Sequence, residues 1–332
     1  MGNVHAKKGV SEDAKKSFPN DLPKFILKEQ VAKKGVLKAY MGEYDGTNVL
    51  VKVYVAGQDE DLSWVIERLS TLWLRMNPSV YPNLLPYQVW FKSRQPKSSS
   101  CFLMRQQLMA SLHDRMATRP FLATIEKRFM IYEIVRAVEA FHLLGVVHGD
   151  IKPENIMVTS WNWLVVTDFN PFKPAFLPLN DPSSFNIFFN ATERDICYLA
   201  PERFVDKETA QAAAAALYPD DSSEPGSMST TPPSKSPNTR PTTARLNSGH
   251  SFINETDPQL FKTSMDIFSV GCTIGELCIG SAFMSLPLLL RYISSNAPDL
   301  EHASAPSKLR SNLLKIREPG LRAMVKSMTQ RD

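Results

Sequence analysis

Apolar and polar positions alternate across 25–55, with Gly42 and Gly46 at the breaks, and this period of two predicts three antiparallel strands. The period then changes. Leu62, Val65, Leu69, Leu72 and Leu74 recur at helical spacing across 61–76, and Ile125, Phe129, Ile134, Val138 and Phe141 mark a longer amphipathic helix that ends near Gly145. Between these helices, 84–91 and 101–106 read as two more strands joined by a polar linker. Two short apolar runs, Ile156-Met157-Val158 and Trp163-Leu164-Val165-Val166, flank a Ser160-Trp161-Asn162 turn and read as a hairpin. The stretch 219–249 is rich in Ser, Thr, Pro and Asn, which predicts a disordered insertion with the Ala-rich 210–216 as a short helix at its base. The apolar stretch 265–290 is interrupted by Asp266, Glu276 and Pro287, so it reads as a buried helix rather than a membrane span.

A chain of 332 residues is long enough for two packed lobes. Its formal net charge of +4 is too small to argue for a nucleic-acid partner. Cys101, Cys197, Cys272 and Cys278 have neither metal-ligand spacing nor a disulfide framework, and they read as reduced thiols, the last two packed in a helix. At the start, Gly2 stands where N-myristoylation requires glycine, although Ala6 departs from the usual Ser or Thr. One myristoyl chain binds a membrane only marginally. Lys7, Lys8, Lys15 and Lys16 offer a second, electrostatic signal, offset in part by Glu12 and Asp13. The plainer alternative is a solvated tail.

The hairpin carries the chemistry. Asp150, Lys152 and Asn155 stand at its entrance and Asp168 at its exit, so two carboxylates and an amide converge on one small volume. Phosphoryl transfer needs such a set, because it asks the protein for an oriented hydroxyl and neutralised phosphate charge rather than covalent help. Asp168 and Asn155 offer the hard oxygen ligands that Mg2+ prefers. Taken singly, Asp150 could cap a turn and His148 could be a satisfied core histidine. Their joint spacing is the signal.

That spacing resembles the protein kinases. His148-Gly149-Asp150 through Asn155 resembles the catalytic loop H-R-D-x-x-x-x-N, and Asp168-Phe169-Asn170 resembles D-F-G. Gly149 replaces the usual Arg, and Asn170 replaces Gly, a position where Asn tolerates positive φ. Ala200-Pro201-Glu202 resembles the A-P-E close of an activation segment, and 266–271 resembles the D-x-W-S-x-G helix. Val49-Leu50-Val51-Lys52 resembles V-A-I-K. The resemblance implies an α+β, bilobal kinase-like fold with a small antiparallel sheet in the N-lobe and a mainly helical C-lobe. The tail would occupy 1–24, the N-lobe 25–106 and the C-lobe 107–332, with the insertion at about 206–261.

Residue roles follow from the same resemblance. Asp150 would orient the substrate hydroxyl, Lys152 would steady the γ-phosphate, Lys52 would hold ATP, and Asn155 and Asp168 would hold Mg2+. Glu67 is the candidate ion-pair partner of Lys52, with Glu60 or Asp61 serving in a shifted register. Gln106 and Gln107 would form the hinge beside adenine. Lys33-Lys34-Gly35-Val36 stands where G-x-G-x-x-G is expected, so nucleotide is held loosely or differently. Without Arg at 149, the usual phosphate-sensing pocket is missing. The sequence at 328–332 stops short of the Arg that pairs with the A-P-E glutamate, which predicts an unpaired Glu202 and a truncated chain.

The resemblance narrows at Leu112-His113-Asp114-Arg115, at Ser160-Trp161-Asn162-Trp163, at Phe172-Lys173-Pro174 and at Arg203-Phe204-Val205. Together these are similar to the regulatory protein-kinase subunits of class III phosphatidylinositol 3-kinase complexes. What this implies is an N-myristoylated Ser/Thr kinase on the cytoplasmic face of endosomal, vacuolar and autophagic membranes. Its partners would be the lipid-kinase catalytic subunit, an adaptor and a protein substrate. The competing expectation is a pseudokinase scaffold with little or no phosphoryl transfer.

Overall fold

The computed structural model describes residues 21–32, 37–56, 62–94, 99–190, 196–217 and 262–331. Strands β1 (Phe25–Ala32), β2 (Leu37–Tyr44) and β3 (Thr47–Val55) form the expected antiparallel meander. Helix α1 (Ser63–Arg75) follows, then β4 (Leu84–Leu85), β5 (Val89–Lys92) and β6 (Ser100–Gln106). The first sheet runs β1-β2-β3-β6-β5. The stretch 84–91 is therefore not one strand. Pro86 has no N–H to give to a ladder, and the chain changes sheets there, turning Tyr87 inward to 1% exposure.

Period-two geometry fixes what each face of β3 and β6 does. Lys52 sits opposite Leu103 and Leu50 opposite Arg105, so these four share one face with Tyr54 and Cys101. Tyr54, Cys101 and Leu103 cluster on that face with Val65 and Leu69 of α1. Val49, Val51, Val53, Phe102 and Met104 pack with Tyr40 on the other.

Strand β7 (Ala110–Ser111) leads into α2 (Leu112–Ala117) and the long α3 (Thr124–Leu143). The buried side of α3 is Met130, Ile131, Ile134, Ala137, Val138 and Phe141. Ile125 and Phe129 depart from the expected stripe and are exposed at 70% and 46%. The hairpin forms as expected from β8 (Ile156–Val158) and β9 (Leu164–Thr167), with Asn162 at φ +60 in its turn. It sits in a second sheet ordered β4-β9-β8-β7.

The segment after the hairpin contains β10 (Leu177–Pro178) and α4 (Ser183–Phe188), and it returns at β11 (Phe204–Val205), which pairs with β10. Helix α5 (Lys207–Leu217) realises the Ala-rich run, with Asp206 accepting the Thr209 N–H at 2.8 Å. The expected insertion lies outside the described residues from 218 to 261.

Helices α6 (Thr263–Ile279), α7 (Leu286–Ser294), α8 (Ser307–Leu314) and α9 (Pro319–Met328) complete the C-lobe. Gly271 lets α9 cross α6 closely, since a Cβ there would lie 2.8 Å from Met328 Cβ. Cys272 and Cys278 lie on α6, and the four cysteines are free. No described helix is long and apolar enough to cross a membrane.

Candidate active site

The catalytic loop hangs from α6. Asp266, fully buried in the first turn of that helix, accepts the N–H groups of His148 and Gly149, each at 2.8 Å, and lies 3.0 Å from His142 Nε2. Gly149 sits at φ +72, a conformation glycine adopts without steric cost. His148 reaches back to the hairpin. Its Nε2 lies 2.9 Å from the Thr167 carbonyl and its Nδ1 accepts the Asp150 N–H at 3.2 Å, which requires the neutral Nε2–H tautomer. Burial holds the imidazole below its ordinary pKa, in keeping with that neutral form.

Asp150 is 4% exposed and surrounded by donors. The Lys173 ammonium bonds its Oδ2 at 2.5 Å, Lys152 lies at 3.3 Å, and Asn155 Nδ2 donates to the same oxygen and to the Asp150 carbonyl, both at 2.8 Å. Burial pushes the Asp150 carboxyl up, but the ammonium groups of Lys152 and Lys173 outweigh it and hold it down at about 2. For Lys173, burial wins over Asp150, and its pKa falls to about 8. Lys173 also lies 5.1 Å from the Phe189 ring, and Lys152 donates to the Phe189 carbonyl at 3.1 Å. The Asp150 carboxylate is thus bridged to the segment that follows the hairpin.

Asp168, at φ +67 and 3% exposed, is held from the N-lobe. Lys52 pairs with its Oδ2 at 2.9 Å, and Arg105 Nε donates to Oδ1 at 3.1 Å while its Nη2 donates to Oδ2 at 3.3 Å. The Tyr87 hydroxyl lies 3.3 Å from Oδ1 and donates to Asn170 Oδ1 at 2.8 Å. Burial opposes the charge, yet Arg105 and Lys52 together keep the Asp168 carboxyl well below the usual carboxylate range. Burial lowers Lys52 in turn, against the attraction of Asp168.

The structure brings together Lys52 with Asp168, and Asp150 with Lys152 and Asn155. Glu67 is not brought in. It lies on the exposed side of α1, and the partner of Lys52 is Asp168. Glu60, Asp61, Gly2 and Gly35 lie outside the described residues. At the expected hinge, the Gln106 N–H donates to Gln88 Oε1 at 2.7 Å and the Gln107 N–H to the Asn48 carbonyl at 3.0 Å. The positive φ falls on Asp168 and not on Asn170, whose side chain instead anchors Tyr87. Glu202 is not left without a partner, since it acts electrostatically on the buried Arg203 guanidinium.

Arg105, Lys173, Tyr87 and Arg203 are the residues that sequence reasoning left without roles. A charged residue ending the apolar run Cys101-Phe102-Leu103-Met104 was the available signal for Arg105. The Mg2+ expected at Asp168 and Asn155 meets a specific obstacle. The donors are of the right type, but both Asp168 oxygens already face cations. In this arrangement the residues do not fit a divalent ion.

Residues 41–216 match the family described as the protein kinase domain, whose members in general use ATP and a divalent metal. The chain is 33% identical to "Serine/threonine-protein kinase VPS15" of Arabidopsis thaliana over 99% of its own length and 19% of that protein. It is 30% identical to "Serine/threonine-protein kinase vps15" of Schizosaccharomyces pombe, over 95% of this chain and 15% of the relative. The namesake of Saccharomyces cerevisiae matches at 30% over 86% of this chain and 16% of its own length. The chain therefore spans less than a fifth of the curated relatives it matches. By this match the chain belongs to the protein kinase family, and its near-full-length likeness is to the VPS15 serine/threonine kinases.

Proposed function

We propose that this chain is the kinase-fold regulatory part of a class III phosphatidylinositol 3-kinase assembly: a Ser/Thr protein kinase by its catalytic residues, with transfer withheld in its resting state. The observation that carries this reading is the ion pair between Asp150 and Lys173. Asp150 is the group that would orient a substrate hydroxyl, and Lys173 occupies the oxygen it would use. Lys52 would hold the α- and β-phosphates of ATP and Lys152 the γ-phosphate, once Lys173 has moved away. Arg105 occupies both oxygens of the Asp168 carboxylate that would otherwise be offered to Mg2+.

The partners carried by the resemblance are the lipid-kinase catalytic subunit and its adaptor, with a protein as phosphate acceptor. Myristoyl-Gly2 and the basic tail would place the assembly on the cytoplasmic face of endosomal, vacuolar and autophagic membranes. A second reading is a nucleotide-binding pseudokinase scaffold, and the fork of Arg105 on Asp168 favours it. Transfer of labelled phosphate from ATP separates the two. Slow incorporation by the wild-type chain that Asp150→Asn abolishes supports the kinase, whereas nucleotide binding with no incorporation in either supports the scaffold.

A further inference from the structure

Building on the nucleotide-binding reading, we propose that the cleft takes a nucleotide polyphosphate without a divalent cation. Arg105 supplies at Asp168 the positive charge that a metal would bring, and it is the residue that sets this preference.

The charge layout carries the inference. Asp168 is shared by Lys52 and Arg105, and Asp150 by Lys152 and Lys173, so four cations face two carboxylates, leaving a surplus of two positive charges. All six side chains are at most 13% exposed. Neighbouring groups do not remove the surplus. Burial drives both Tyr87 and His148 towards their neutral forms, and the buried Arg203 leans first on Asp150 and then on Asp266, so it adds to the positive side and takes none away. Buried like charges demand a counter-ion, and a polyphosphate brings several oxygens of the required sign. It would also favour the charged forms of Lys52 and Lys173, against the burial that lowers both.

Geometry points the same way. Arg105 is the last residue but one of β6, and its Nη1 also donates to the Gln106 carbonyl at 3.2 Å. From there its guanidinium engages both Asp168 oxygens, the forked arrangement a guanidinium makes with a carboxylate. A divalent ion would have to break that fork and enter a region already short of negative charge. A purely structural salt bridge would need one cation at Asp168, and the site holds two.

The test is ATP binding by calorimetry in excess EDTA and in excess Mg2+. The wild-type chain should bind in both buffers with dissociation constants within about three-fold. Arg105→Met should weaken binding in EDTA by about ten-fold or more, and Mg2+ should restore it, because the vacated carboxylate then takes the ion. If Arg105→Met does not fold, the wild-type comparison decides alone. Loss of wild-type binding in EDTA with retention in Mg2+ overturns the proposal and leaves the nucleotide site intact. Absence of binding in both buffers overturns the proposal together with the nucleotide-binding reading.

Discussion

Arg203 Nη1 donates to the Gly149 carbonyl at 2.6 Å, so a guanidinium from the end of the activation segment serves the loop position where the kinase pattern carries an Arg of its own. Its other donors reach the carbonyls of Ala175 and Pro174, both at 2.7 Å, and its charge lies 4.9 Å from the Phe189 ring. The side chain is 1% exposed, and burial lowers its pKa to about 10. Two ends of the segment are thereby tied to the catalytic loop with no phosphate involved.

Arg203→Ala should therefore destabilise the fold by about 3–5 kcal/mol, since three carbonyls lose their donors and a cavity opens. Arg203→Lys should recover little of it, because an ammonium does not reproduce the planar fork. Denaturant midpoints measure both. An unchanged midpoint for Arg203→Ala would remove the segment anchor from this picture.

Restoring the kinase arginine at 149 should harm the protein. Gly149 sits at φ +72, where a side chain costs about 1–2 kcal/mol, and Arg203 already bonds its carbonyl. Gly149→Arg is expected to lower the melting temperature and Gly149→Ala to lower it less. Equal stability of Gly149→Arg and wild type would contradict the backbone argument.

Glu133 gives a pH dependence of known sign. It is 3% exposed, its Oε2 accepts the Leu164 N–H at 3.3 Å, and its Oε1 has no hydrogen-bond partner. Burial raises its pKa from 4.5 to about 7. A raised folded-state pKa contributes stability below the unfolded value, and this is lost as pH rises from about 4.5 through 7. Glu133→Gln should therefore match the wild type near pH 4 and exceed it by about 1–2 kcal/mol at pH 8, after allowing for solvent screening. A constant difference between the two across that range would rule the titration out.

In the proposed membrane attachment, Gly2 would carry the lipid. Gly2→Ala should move the protein from the floating to the soluble fraction in vesicle flotation, and full retention would exclude a lipid anchor at that residue.

The catalytic loop and hairpin were legible because their signals are local. Asp150, Asn155 and Asp168 lie within one supersecondary unit, and Lys52 stands in a strand with plain alternation. Glu67 failed for a reason visible in the same helix. It stands two residues from the buried Val65 and Leu69, about 200° around the axis from each, and so faces solvent. Arg105, Lys173 and Arg203 were not legible as partners, because each meets its carboxylate or carbonyl across 23 to 63 residues. Ile125 and Phe129 misled because their spacing is helical while the packed face of α3 is another one.

In the proposed resting state, Lys173 restrains Asp150. Labelled phosphate transfer from ATP, measured for wild type, Lys173→Met and Lys173→Met with Asp150→Asn, addresses it directly, with ATP binding followed in parallel. The expected result is a gain of about ten-fold or more on removing Lys173, abolished when Asp150 is also changed. Transfer by Lys173→Met no faster than wild type, with ATP binding intact in both, would contradict it.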